Sequence, residues 1–213
     1  HAALAASADD PIERATHLVA RGVEPDDTLA AELDQAAHEA HAAGAIDAAV
    51  MLAQASVAAT PTTTEPITRL ERAYTCALRQ VQAARYHDAH AAVTTIAAEL
   101  EATGGARNPA LHDLRERVAL IEGVITANVH GFAAVQAAAE RALTFTTDPH
   151  RRYVLQTRLA RGALHQNLTH GLEVAERVFG EGSEHAGFDG VLGSLVLLTA
   201  RAAAGAPVDL DAA

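Results

Sequence analysis

The sequence predicts an all-α fold, an α-solenoid built from stacked helical hairpins. Three observations predict it. Alanine dominates the chain, aromatics make up only 3%, and tryptophan is absent; alanine has the highest helix propensity and loses no side-chain entropy on folding. Strand-favouring residues never gather into alternating runs. Cap and turn residues punctuate the chain at regular intervals.

The elements follow in order. Asp10-Pro11-Ile12-Glu13 is a helix start, with Asp as N-cap, Pro at the first helical position and Glu at the third. Gly22 ends that helix. Pro25-Asp26-Asp27 opens a second, which runs to Gly44. A third runs from about Ala45 to Thr60 and stops at Pro61. Residues 62–66, Thr-Thr-Thr-Glu-Pro, open a fourth that reaches about Arg85. A fifth covers about 87–102 and ends at Gly104-Gly105. Asn108-Pro109 opens a sixth, ending near His130-Gly131, and a seventh runs from Phe132 to about Phe145. Asp148-Pro149 opens an eighth, to about Gln166. A ninth spans about 169–180 and a tenth about 186–204, closed by Gly205-Ala206-Pro207.

These helices pair, each longer helix followed by a tight turn and a shorter helix. The expected hairpins cover about 26–60, 65–102, 108–145 and 148–181, with 186–204 as a last half-hairpin. Ala49, Ala89, Val135 and Leu172 share one position of the shorter helix, and Ala37, Ala77, Gly123 and Ala160 share one of the longer. Small residues there let two helices approach closely. A period of roughly 34 to 45 residues with this pattern is the tetratricopeptide type of repeat. One hairpin cannot bury its apolar face alone, so neighbours stack. Residues 25–213 form the repeat domain on this reading, and 1–24 a boundary helix.

Composition excludes several functions. The chain has 213 residues, a net charge of −11 and only 16 basic residues, which are scattered; nucleic-acid binding needs clustered cations. The most apolar run, VLGSLVLLTA at 191–200, is about half a membrane span, and the start lacks a signal-peptide pattern. The expectation is a cytoplasmic segment that binds neither nucleic acid nor membrane. In a cytoplasmic protein the Asn167-Leu168-Thr169 sequon has no meaning. The single Cys76 excludes an internal disulfide and reads as a buried hydrophobe in mid-helix. Ser7, Ser56, Ser183 and Ser194 lie in no nucleophile motif. Glu71–Arg72 and Asp113–Arg117 read as exposed helix faces, and Met51 as core. Gly187, Gly190 and Gly193, three apart, read as a close helix–helix contact or a flexible start to the last helix.

The stretches HAALA (1–5), DPIERATHLVARGVEPDDTLAAELDQAAHEAHAAGAIDAA (10–49), ASVAATP (55–61) and DPHRRYVLQTRLARGALHQNLTHGLEVAERVF (148–179) carry a resemblance. The chain resembles the central helical region of the large ATP-binding regulators of the LuxR family, common in actinobacteria. In that family a STAND-type ATPase and winged helix precede such a region and a DNA-binding helix-turn-helix follows it. No G-x-x-x-x-G-K-[ST] phosphate loop and no basic recognition helix occur in the sequence. The resemblance therefore implies a middle segment that receives a signal and passes it to ATPase and DNA-binding parts. The family often has arginines where HEAH (38–41) stands.

Solenoids bind on the concave face, which the first helix of each pair mostly forms. Counting helical steps from the small positions gives the inward-facing set. It comprises Asp34, His38 and His41; Glu71, Tyr74, Leu78 and Gln82; Arg117, Leu120, Val124 and Asn128; and Thr157, Arg161 and His165. The candidate ligand-binding residues among them are Asp34, His38, His41, Tyr74, Gln82, Arg117, Asn128, Arg161 and His165, a polar and apolar mixture that suits a pocket.

Twelve histidines occur. HEAH (38–41) and HDAH (87–90) each place two on one helix face. Zinc wants three or four ligands in tetrahedral array, and HEAH is not the H-E-x-x-H of metalloproteases. His130, His165 and His170 also fall near hairpin turns, where histidines could form a pH-responsive edge. The sequence therefore points to no metal, cofactor or catalytic residue. Its leading function is a non-enzymatic sensing domain for an effector small molecule or protein partner, and its alternative a plain protein–protein scaffold. An apolar face left on the last helix predicts a homodimer.

Overall fold

The computed structural model describes residues 10–22, 24–104, 108–179 and 188–205. Among them are ten helices and no strand: α1 (Pro11–Arg21), α2 (Asp27–Ala42), α3 (Ile46–Ala59), α4 (Pro66–Gln82), α5 (Tyr86–Ala102), α6 (Pro109–Val129), α7 (Phe132–Leu143), α8 (Pro149–Gln166), α9 (Leu168–Phe179) and α10 (Phe188–Ala203). The all-α expectation holds. No helix among the described residues is long and apolar enough to cross a membrane.

Caps set the boundaries. The Asp10 carboxylate accepts from Ile12 N at 2.9 Å, Asp26 from Leu29 N at 2.8 Å, and Asp148 from Arg151 N at 2.8 Å. Each satisfies an amide that the first helical turn leaves without a partner, worth about 1 kcal/mol per cap. Proline follows Asp10 and Asp148 at the first helical position. Gly44 and Gly131 turn the chain with φ of 78° and 79°. α4 ends at Gln82, three residues short of the sequence expectation. Its turn is made by Ala84 at φ 57°, a left-handed conformation that costs an L-residue roughly 1–2 kcal/mol. With no glycine there, the sequence carried no stop signal.

The chain divides into two compact units, residues 1–114 and 115–213. In the first, α1 to α5 pack on their sequence neighbours. Ala30, Leu33, Ala37 and Ala40 of α2 meet Ala49, Leu52 and Ala53 of α3 in one core. Alanine at these places brings the backbones close, so contact comes from proximity rather than side-chain bulk. Ser56, fully buried, donates to the Ala30 carbonyl at 2.8 Å. The Asp26 amide donates to the Ala59 carbonyl at 2.8 Å and closes the hairpin at its open end. Met51 packs against this core, as expected.

In the second unit, α7 to α10 pack in turn, and Tyr153, Leu159, Val174, Phe179, Val196 and Ala200 share a core. Tyr153 and Phe179 meet edge to face at 5.4 Å. Small residues act here as spacers. A Cβ on Gly123 would strike the Arg158 side chain, which donates to the Leu120 carbonyl. A Cβ on Gly193 would strike Tyr153 and the Phe179 ring, so Gly193 is the close contact read from the glycine series. Gly187 lies outside the described residues.

Ala37, Ala77, Gly123 and Ala160 are all buried, as are Ala49, Ala89 and Val135. Leu172 departs from the expected pattern and is only half-buried. Gly171, one residue earlier, holds the buried place, where a Cβ would press on Leu164.

Candidate functional site

Two stripes of charge face one another in the first unit. Asp27, Asp34 and His41 stand seven apart on α2, and Arg72 and Arg79 stand seven apart on α4. Seven residues make nearly two helical turns, so each set lies along one face. Arg72 is 7% exposed. Its Nη1 donates to Asp27 Oδ1 at 2.7 Å and to Thr60 Oγ1 at 3.1 Å. That bond lowers the Asp27 carboxyl below its ordinary range. The first rung of the ladder is closed.

The second rung is open. Arg79 is 5% exposed, and its Nη1 donates to Gln82 Oε1 at 2.9 Å. Arg79 Nε and Asp34 Oδ1 are both buried with no hydrogen-bond partner. Burial pushes the Asp34 carboxyl up, and the charges of His38, Arg72 and Arg79 only partly offset it. Burial likewise pushes Arg79 down, opposed by Asp34. The pair feels each other's field without a shared hydrogen bond. A buried polar atom left unpaired costs about 1–3 kcal/mol.

Asp34 also lines a recess of about 330 Å³ between α2 and α4, with Ala31, Gln35, Ile67, Thr68, Glu71, Arg72 and Thr75. Carboxylates, hydroxyls, an amide and two small apolar walls converge there. Two other recesses lie in this unit. One of about 360 Å³ runs between α1 and α2 over Ala15, Leu18 and Ala36, with the Arg14–Glu32 ion pair at 3.4 Å on its rim. One of about 210 Å³ lies over Val57, Leu70, Cys76 and Ile96, beside the Arg69–Glu99 ion pair. Cys76 is buried there, as expected, and its thiol is pushed up to about 11 by burial. It is a poor nucleophile at neutral pH.

The nine candidate residues divide between the units. Asp34 lines the polar recess, and His38, exposed, acts on it through its field. His41 is half-buried with Nδ1 lacking a partner, Tyr74 is half-buried, and Gln82 serves as acceptor for Arg79. In the second unit, exposed His165 stacks on Phe132 at 4.1 Å, and the Arg161 guanidinium stands 6.0 Å from the same ring. Asn128 spends its amide on the Val124 carbonyl of its own helix at 2.8 Å, and Arg117 is half-buried on α6.

Two expectations are corrected. Thr157 is buried and donates to the Tyr153 carbonyl at 3.1 Å, so its hydroxyl is absorbed by its own helix. Glu71–Arg72 is not an exposed face, because Arg72 reaches across to α2. Arg72, Arg79, Thr68 and Thr75 were missed as site residues, although the matched seven-residue spacings were present in the sequence.

Among the described residues no three His, Cys, Asp or Glu side chains converge in a way that could hold a metal ion. No protein-family model matches the chain, and no curated protein matches it.

Proposed function

We propose that this chain is a signal-sensing and interaction domain of a LuxR-type transcription regulator, not an enzyme. Its hairpins are of tetratricopeptide type, stacked as a solenoid, and an effector occupies the recess between α2 and α4. The recurring buried small residues Ala37, Ala77, Gly123 and Ala160 support the repeat reading. One observation carries the functional reading: the half-closed ladder at the α2–α4 recess, where Arg72 is bonded to Asp27 while Asp34 and Arg79 remain apart.

A ladder with one rung open has two arrangements, with Arg79 held by Gln82 or drawn toward Asp34. An effector that touches Asp34 favours one arrangement over the other. That difference in affinity is what a sensor needs to shift a population. Neighbouring ATPase and DNA-binding parts would read the shift.

Native mass spectrometry of the purified chain tests this, repeated under denaturing conditions. The expected result is a bound mass that is lost on denaturation and is missing from a Thr75→Trp variant, whose indole fills the recess. The chain has no other tryptophan, so its fluorescence also reports that the variant folds. A bound mass retained by folded Thr75→Trp would refute the recess as the effector site.

A further inference from the structure

We propose that the face of α8 carrying Arg158, Arg161 and His165 is a second ligand site. It takes a flat aromatic ring bearing an oxyanion, with the two guanidiniums as counter-charges and Phe132 as the stacking partner. The site lies wholly in the second unit and does not depend on the α2–α4 recess.

Positive charge without a carboxylate leads there. Arg158, Arg161 and His165 are spaced three and four apart, so they share one face of α8. Arg158 is half-buried and donates from Nη1 to the Leu120 carbonyl of α6. Gly123 makes room for it, since a Cβ there would strike the guanidinium. Burial pushes Arg158 down and the Arg161 charge pushes the same way, with no carboxylate to offset them. Buried charges are ordinarily paired. Acids of the same unit are engaged elsewhere: Glu122 with Arg141 at 3.2 Å, Glu116 with Arg151 at 3.0 Å and Glu176 with Arg201 at 3.3 Å. In a chain of net charge −11, two neighbouring guanidiniums left without an acid are the exception. An anion relieves their repulsion, and a guanidinium's planar fork grips a carboxylate or phosphate through two parallel bonds.

Both cations are within reach of a ligand. Arg161 is exposed and stands 6.0 Å from the Phe132 ring, without a carboxylate partner among the described residues. No nitrogen of Arg158 is both buried and unpartnered, so the donors that Leu120 leaves over open to solvent.

The aromatic part of the site is already assembled. Phe132 opens α7 and is 40% exposed. His165 stacks on it at 4.1 Å, the rings 16° from parallel. Gln166 ties this end of α8 to the start of α7, donating from Nε2 to the Ala133 carbonyl and to Gln136 Oε1, each at 3.0 Å. A planar ring that extends the stack covers Phe132 and brings its oxyanion to Arg161.

Isothermal titration of the full chain tests the class. The probes are 2-naphthoate and 2-naphthyl phosphate, each against its cyclohexyl counterpart, and neutral 2-naphthamide. At least one aromatic anion is expected to bind, and the tighter of the two names the oxyanion. Naphthamide should bind about tenfold more weakly, and the matching cyclohexyl anion roughly fivefold more weakly. Arg161→Gln should keep the wild-type circular dichroism and lose about tenfold in affinity. Phe132→Leu should erase the preference for the aromatic over the cyclohexyl anion, and Thr75→Trp, in the other unit, should bind as wild type does. The proposal is overturned if neither aromatic anion binds, if naphthamide or the cyclohexyl anion binds equally well, if folded Arg161→Gln binds unchanged, or if Phe132→Leu keeps the aromatic preference. Loss of binding in folded Thr75→Trp would put the ligand in the α2–α4 recess and overturn it as well.

Discussion

Glu116→Gln is the sharpest test of what holds the second unit together. Glu116 lies on α6 and is 2% exposed. Its Oε1 accepts from the Thr147 amide and from Thr147 Oγ1, and its Oε2 accepts from Arg151 Nη1 at 3.0 Å. The Asp148 amide adds a further bond. One carboxylate thus ties α6 to the start of α8. Burial pushes this carboxyl up, yet the bonds from Thr147, Arg151 and Asp148 outweigh it and hold the group below its ordinary 4.5. The amide keeps the shape but loses the charge and turns an N–H₂ toward a donor. Breaking a buried ion pair costs about 3–5 kcal/mol, and hydrogen bonds to charged groups are worth about 1.5–3 kcal/mol. Arg151 is 21% exposed and regains water, so the loss should sit near 2–3 kcal/mol at pH 7.5. Urea unfolding followed at 222 nm measures it. The unfolded chain binds this proton more tightly than the folded one, so stability rises with pH through the window below about 4.5. The gap between wild type and Glu116→Gln should accordingly close as pH falls through that window. A loss under about 0.5 kcal/mol, or a gap that persists unchanged in acid, would refute the reasoning.

Cys76, with its thiol near 11, should react with a thiol reagent at pH 7.5 only through unfolding, and rapid stoichiometric labelling of native protein would contradict its burial. Gly162→Ala places a Cβ 2.9 Å from the Gln136 backbone nitrogen; helix propensity gains about 1 kcal/mol but overpacking against backbone costs about 1–3 kcal/mol, so a lower thermal midpoint is expected, and a raised one would show that α7 yields freely. Leu195 on α10 is 59% exposed, and the expected self-association should weaken in Leu195→Asp by light scattering, whereas a wild-type monomer would remove the dimer from the proposal.

Local chemistry made most of the fold legible. An N-cap aspartate followed by proline acts within one turn, so Asp10-Pro11 and Asp148-Pro149 announced their helices without any tertiary knowledge. Glycine turns at Gly44 and Gly131 were equally local. The α4–α5 turn was not, because Ala84 adopts a glycine-like φ that only the packed hairpin imposes. The buried small residues were legible as a period, yet the last hairpin slipped by one to Gly171, since which residue faces its partner depends on the crossing rather than on the count.

The site was harder to read for a related reason. Charged residues are almost always exposed, so Arg72 and Arg79 passed as surface while histidines and a tyrosine drew attention as unusual. Their signal lay in two helices at once. Asp27, Asp34 and His41 mean little alone, and so do Arg72 and Arg79. Equal spacings allow the charges to lie level, and the pairing of Asp27 with Arg72 while Asp34 acts on Arg79 shows that α2 and α4 run in the same direction. A stabilising ladder would have closed both rungs. Here Arg72 meets Asp27 at 2.7 Å, while one helical stripe further on Asp34 Oδ1 and Arg79 Nε stay buried and unpaired. Stability alone gives no reason to keep the second rung open, since apolar residues would fill that space at less cost. The departure from the stabilising pattern, bordered by a recess lined with carboxylates, is what singles out Asp34 as the residue on which the effector reading stands.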